Sequence, residues 1–350
     1  MRISNNLEVN AEQYGNIYLL PAIYLSILLT GRNANLWLME NCPSQYVRIH
    51  NQCDLIYRNG YIKAYDEMTS LDSLLNYLDV EPMPESFYWS PSIADLLIDT
   101  IDQKKYIVLD LDEYYIEQTY FYRRRHYYRK FMIYGYDRKA CIIKAYSHDE
   151  WTRYRPFALD ILKLPQIVQL GARRSDTANR FTYRGLFIRR NPSCSVFFFS
   201  PHRFLFRLNS CLENRMVKVY SNKGDLLYTD LYGFQLYETI IKKIQLLKQN
   251  IVHLDYRVFS ILGQHKARMA QTITYLEQAY RIPGLSEIAE TYKNLAGQWK
   301  KLLLIFLKPY RDHYPERYQS IDEIVQQVTV CKEREKSCLC RLIEKIRGNI

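Results

Sequence analysis

The sequence contains no CxxC pair, no GxxxxGK[ST], no GxGxxG after a strand, no GxSxG and no HExxH. Those absences leave no support for a zinc ribbon, a P-loop or dinucleotide fold, the nucleophile elbow of hydrolases, or a zincin. Cysteine is sparse, with 8 in 350 residues, too few to staple so long a chain. Cys338 and Cys340 have no histidine at zinc spacing, so reduced thiols, a cytoplasmic protein and no metal or cofactor are expected. The opening MRISNNLEVNAEQYGN lacks the basic-then-apolar order of a secretory signal. The apolar run from Ile17 to Leu29 is interrupted by Pro21 and is too short to span a bilayer, so no membrane role is expected.

Tyrosine, by contrast, is abundant at 32 residues against only 12 glycines, which implies many half-buried, amphipathic positions. The net charge of +11 favours acidic partners such as nucleic acid, an anionic membrane face or an acidic carrier protein. The basic residues are densest at Arg123, Arg124, Arg125, Arg129 and Lys130, a run that equally suits a solvated face. A chain of 350 residues can bury a sizeable core and suggests about two domains.

Short elements of both kinds fill the first two thirds. Pro21 opens a helix, AIYLSILL, that Gly31 can end. Asn59-Gly60 predicts a hairpin turn. SLDSLLNYL reads as a helix, and SPSIADLLIDTID as another with Ser90 as N-cap. YIVLDLDEYYI alternates so that one face is apolar and the other becomes acidic. KFMIYGYD and ACIIKAYS predict an antiparallel pair, and YRGLFIRR, SVFFFS, RFLFRL and RMVKVYSNKGDLLYT predict further strands. From about Leu231 the periodicity turns helical, with stops at Pro283-Gly284 and from Pro309 to Pro315. The chain therefore reads as α+β, with residues 1–230 as one domain and 231–350 as an all-helical module.

Candidate chemistry is thin. Asp110 and Asp112 could bind a metal or move protons, but they have no ordered third ligand and equally fit a solvated strand. His265 lies within a helix and reads as a packing or surface residue. His126, in RRRHYYRKFMIYGYD, is a weak candidate base whose use depends on a nucleophile.

YIVLDLDEYY, followed by a basic and aromatic stretch and IYGYD, resembles the N-terminal domain of the butirosin biosynthesis protein H family, papain-like in its superfamily. The helical tail around DYRVFSILGQHKARM is similar to members encoded beside nonribosomal peptide and polyketide synthesis genes. The resemblance implies an antiparallel sheet packed on helices, and a catalytic Cys at the start of the first long helix. It also implies a His on the strand leading to the Gly-Tyr-Asp turn and an acid on the next strand. This sequence has NIYLLPAIYLSIL at the helix, Arg129 at the place for the His, and Tyr146 or Ser147 for the acid, with Asp149 just beyond. Cys42 and Cys53 fall around strand-like sequence after the first helix. Cys–His machinery acts as a unit, so these departures imply a non-catalytic or repurposed protein.

The expectation is an accessory protein of bacterial nonribosomal peptide or polyketide biosynthesis, engaging an acyl or peptidyl carrier domain. Its groove would lie between Tyr18–Ala22 and the strand Arg129–Tyr136, with Arg129, Tyr136, Asp112 and Tyr115 as binding residues. An active acyl or peptidyl transferase, or a cysteine peptidase-like hydrolase, using His126 is the alternative. A nucleic-acid-binding protein using YFYRRRHYYRKF is a third.

Overall fold

In the computed structural model, residues 2–11, 19–43, 45–50, 61–66, 76–151, 153–168, 185–194, 196–220, 226–247, 256–312 and 321–350 are described. The elements begin with β1 (Ser4–Asn6), α1 (Leu19–Leu28), α2 (Ala34–Asn41), β2 (Gln45–His50), β3 (Tyr61–Asp66) and β4 (Leu78–Pro82). They continue with α3 (Glu85–Tyr88), α4 (Ile93–Asp102), β5 (Tyr106–Asp112), β6 (Tyr128–Asp137), β7 (Ile142–His148), β8 (Tyr154–Asp160) and β9 (Gly185–Arg190). The rest are α5 (Pro201–Leu212), β10 (Met216–Tyr220), β11 (Leu226–Tyr232), α6 (Gln235–Leu247), α7 (Arg257–Tyr280), α8 (Ser286–Asp312) and α9 (Ile321–Arg347).

Two compact units result, one of Met1–Ala34 with Leu71–Phe197, the other of Asn35–Ser70 with Phe198–Ile350. The contacts therefore do not divide at residue 230. The reason is β2, which pairs antiparallel with β11, so that residues 35–70 join the C-terminal stretch. The helical module consequently carries a four-stranded sheet in the order β10-β11-β2-β3.

The first unit is built on a seven-stranded antiparallel sheet, β4-β9-β5-β6-β7-β8, with β1 beside β6. Helices cover both faces. On one, α4 contributes Ile93, Leu97, Ile98 and Ile101 to a core with Ile107, Leu109, Phe131, Ile133, Ile143 and Phe157. On the other, α1 packs with Ser26, whose hydroxyl lies 3.2 Å from Tyr154 Oη and donates to Met132 Sδ at 3.7 Å. β5 is thus buried on both sides, which explains its nearly continuous apolar run Tyr106–Leu109.

Several expectations need correction. RFLFRL lies in α5 instead of a strand, because Ser200 caps the helix by accepting from the Arg203 amide and Pro201 occupies the first turn. SVFFFS forms no strand; Val196 makes only a single bridge with Arg32. The N-cap of α4 is Ser92, not Ser90, and its side chain makes no capping bond. The Gly-Tyr-Asp segment lies within β6 and is not a turn. Gly135 is needed there because a Cβ would meet the Asn5 carbonyl of β1 at 2.7 Å. α8 runs on through Pro309 to Asp312, where a proline near the helix end forfeits few bonds. The Asn59-Gly60 turn, Cys53, Tyr18 and most of SLDSLLNYL lie outside the described residues. No helix among the described residues is long and apolar enough to cross a membrane.

Candidate functional site

β5 ends in Asp112, whose Oδ1 accepts from the Tyr114 amide at 3.1 Å and caps a 3-10 turn, Glu113–Tyr115. The chain then loops back to β6, tied by Thr119, whose hydroxyl donates to the carbonyls of Glu113 (3.1 Å) and Ile116 (2.8 Å). Gln118 and Arg123 adopt left-handed backbone, φ 67° and 52°, a conformation that costs a non-glycine residue about 1–2 kcal/mol.

That loop returns His126 to Asp112. The imidazole Nδ1 lies 2.6 Å from Asp112 Oδ2, with the carboxylate fully buried and the ring 44% exposed. Tyr114 stacks on the ring at 4.5 Å between centroids, and Tyr115 lies tilted at 6.0 Å. Asp112 also accepts from the Tyr127 amide at 3.3 Å, so it is held by the backbone on both sides of the loop. A carboxylate accepting from Nδ1–H leaves Nε2 with a lone pair, as in a general base. The acid that orients His126 is therefore Asp112 from the preceding strand. Asp149 closes the β7–β8 turn instead. Burial would raise its pKa, but bonds from the Arg153 amide and side chain, Arg155 and the Trp151 amide hold it below the usual range.

Glu113 and Arg129 sit beside this dyad. Arg129 Nε lies 2.5 Å from the fully buried Glu113 Oε1, and its Nη1 donates to the His148 carbonyl at 3.3 Å. Burial pushes the Glu113 carboxyl up to about 7, against the pull of Arg129 and a backbone bond at Phe121, with Asp112 adding to the rise. Arg129 does not line a groove beneath α1. It pairs with Leu111, on the α4 face, and alternation puts Lys130 on the α1 face, 2.6 Å from Asp110.

A basic run, Arg123–Arg125, directly precedes His126 in the same loop. Arg123 lies over Tyr122 at 5.1 Å, Arg124 over Tyr120 at 5.0 Å, and Arg125 over Phe121 at 4.1 Å. These three exposed guanidiniums pair with no carboxylate among the described residues. Stacking engages the guanidinium face and spares its in-plane donors for bidentate binding of carboxylate or phosphate.

Of the expected residues, Asp112 and Tyr115 contact His126, and Arg129 pairs with Glu113, the residue next to Asp112. Tyr136 does neither; it is buried at the other end of β6, donating to Asp102 at 3.0 and 3.1 Å. Ser147 donates to the Lys130 carbonyl at 2.8 Å, which uses its hydroxyl within the sheet. Glu113 and Tyr114 were not among the expected residues; they follow Asp112 directly at the end of β5. His265 is buried in α7, and Cys42 is buried after α2, 3.4 Å from Met269 Sδ. Among the described residues no thiol or aliphatic hydroxyl bonds His126, and Cys141 lies at the far end of β6. The arrangement can orient a base and hold an anion, with no nucleophile bonded to His126 among the described residues. No protein-family model matches the chain, and no curated protein matches it.

Proposed function

We propose that this chain is a non-covalent accessory protein of nonribosomal peptide or polyketide assembly, papain-like in layout, that holds a carrier-bound acyl or peptidyl group. The observation that carries this reading is the His126–Asp112 dyad, which bonds no nucleophile among the described residues and follows directly on three arginines that pair with no carboxylate among them. The packing of α1 on one face of an antiparallel sheet supports the papain-like layout. An acidic carrier surface with a phosphopantetheine arm would match the +11 charge and the stacked guanidiniums.

Titration against a phosphopantetheinylated carrier domain and its apo form tests it. Arg123→Gln/Arg124→Gln/Arg125→Gln is expected to weaken binding of the modified form at least tenfold, and added salt to weaken it steeply in the wild type. Equal affinity in the triple variant overturns the reading. The 2.6 Å dyad favours a second reading, acyl transfer. Turnover of a carrier thioester that His126→Ala abolishes would establish it.

Glu113 makes the site pH-sensitive. A carboxyl whose folded pKa is raised to about 7 from 4.5 contributes stability fully below about pH 4.5 and loses it as the pH rises through 7. Below pH 7 its protonation also frees Arg129 for an anion. Anion affinity is therefore expected to rise from pH 8 to pH 6, and Glu113→Gln to flatten that slope. Titrations across this range with both proteins check it.

A further inference from the structure

The second unit contains a group of titratable side chains with no place in the site above. Lys266 of α7 is 1% exposed, and its Nζ lies 2.6 Å from Glu335 Oε1 of α9. The same amine lies 3.0 Å from His265 Nδ1 and 5.7 Å from the centre of the Tyr237 ring. Tyr237 donates to the other Glu335 oxygen. Burial holds the imidazole of His265 neutral, far below its ordinary value, so Nδ1 can accept from the amine. Tyr292, 1% exposed, has no hydrogen bond among the described residues.

These groups converge on one cavity. Lys266, Glu335, His265 and Tyr292 line it together with Leu208 and Leu339, and its volume is about 30 Å³. That is room for roughly two water-sized groups, which suits a small aldehyde and excludes an aromatic one. An apolar wall with a few converging polar groups is the ordinary form of a small-molecule site. A lysine buried in an apolar pocket is a known setting for imine formation, and a carboxylate beside it can accept its proton.

We propose that Lys266 captures a short-chain aldehyde as an imine in this cavity. The Glu335 carboxylate, 2.6 Å from Nζ, is placed to take up the Lys266 proton as the aldehyde binds. The freed Nζ lone pair adds to the carbonyl carbon, forming a C–N bond while the carbonyl oxygen takes up a proton from nitrogen. Glu335 returns its proton to the hydroxyl of this carbinolamine, the C–O bond breaks and water leaves. The products are a protonated imine and water, with the Glu335 carboxylate again facing the positive charge. His265 orients the amine throughout, and no oxidant or reductant is consumed.

The test uses the full-length wild-type protein with one equivalent of acetaldehyde and cyanoborohydride, followed by peptide mass spectrometry. Lys266 is expected to carry the ethyl adduct at least tenfold above the exposed Lys301 and Lys336, and benzaldehyde is expected to leave it unmodified. Lys266→Arg keeps the charge and is expected to lose that adduct alone. If this variant fails to fold, the wild-type map still decides. An unmodified Lys266 beside modified Lys301 or Lys336, or labelling at equal levels on all three, overturns the proposal. Neither result bears on carrier binding, which is read from the arginine run.

Discussion

Replacing Glu335 by leucine is expected to cost the second unit about 3–5 kcal/mol, a typical cost of breaking a buried ion pair by removing one partner. The variant leaves Lys266 charged at 1% exposure and takes from Tyr237 the acceptor of its hydroxyl. Three helices meet at that carboxylate, since Tyr237 belongs to α6, Lys266 to α7 and Glu335 to α9. The triple change Glu335→Leu/Lys266→Met/Tyr237→Phe should recover most of the loss, because it removes donors and acceptors together and fills the space with apolar atoms. Urea unfolding followed by helical circular dichroism distinguishes the cases. A single variant as stable as the wild type would show that the pair contributes nothing to the unit.

Asp112→Ala is expected to be the most damaging change in the candidate site. Asp112 satisfies the Tyr114 and Tyr127 amides and His126 Nδ1 from a fully buried position. Each donor left without a partner costs about 1–3 kcal/mol unless water reaches it, so a loss near 3 kcal/mol is expected. Asp112→Asn keeps an acceptor of the same shape and should cost less than half of that. Hydrogen exchange provides the local readout: the Tyr114 and Tyr127 amides should lose protection in the alanine variant and keep most of it in the asparagine one. Unchanged protection in both would mean that Asp112 does not hold the loop.

How much of this was legible depends on the element. The β6–β7 pair was readable because two aliphatic and aromatic runs flank a short polar turn, and α6 to α9 because their apolar residues recur at helical spacing over long stretches. α5 was not, since FLF looks like a buried strand unless the Ser200-Pro201 cap is given more weight. The face of Arg129 was lost for a subtler reason. Between Ile133 and Gly135 the register with β7 shifts, so Tyr134 is an extra residue and the inward positions change from Phe131 and Ile133 to Tyr136. Strict alternation would put Arg129 and Tyr136 on opposite faces, and the shift brings them to the same one. Asp112 and His126 were both visible as residues. Their meeting was not, because it depends on a loop whose left-handed positions, Gln118 and Arg123, carry no glycine to announce them.

The interleaving of the two units bears on the order in which a ribosome delivers them. β2 and β3 emerge early, yet β2's outer partner, β11, follows only after the whole sheet of the first unit has been made; Tyr46 waits for Tyr232. During that interval β2 and β3 can pair only with each other, and a two-stranded pair bare on both edges is a poorly stable form that invites pairing with other chains. The first unit can close over its own sheet meanwhile, since its last strand, β9, ends at Arg190. Nascent chains stalled near residue 240, with β11 still inside the ribosome, should thus hold a protease-resistant first sheet and an open β2 edge, and that edge is where a chaperone would be needed. Vectorial synthesis places this chain's hazard in residues 45–66, far in sequence from either candidate site.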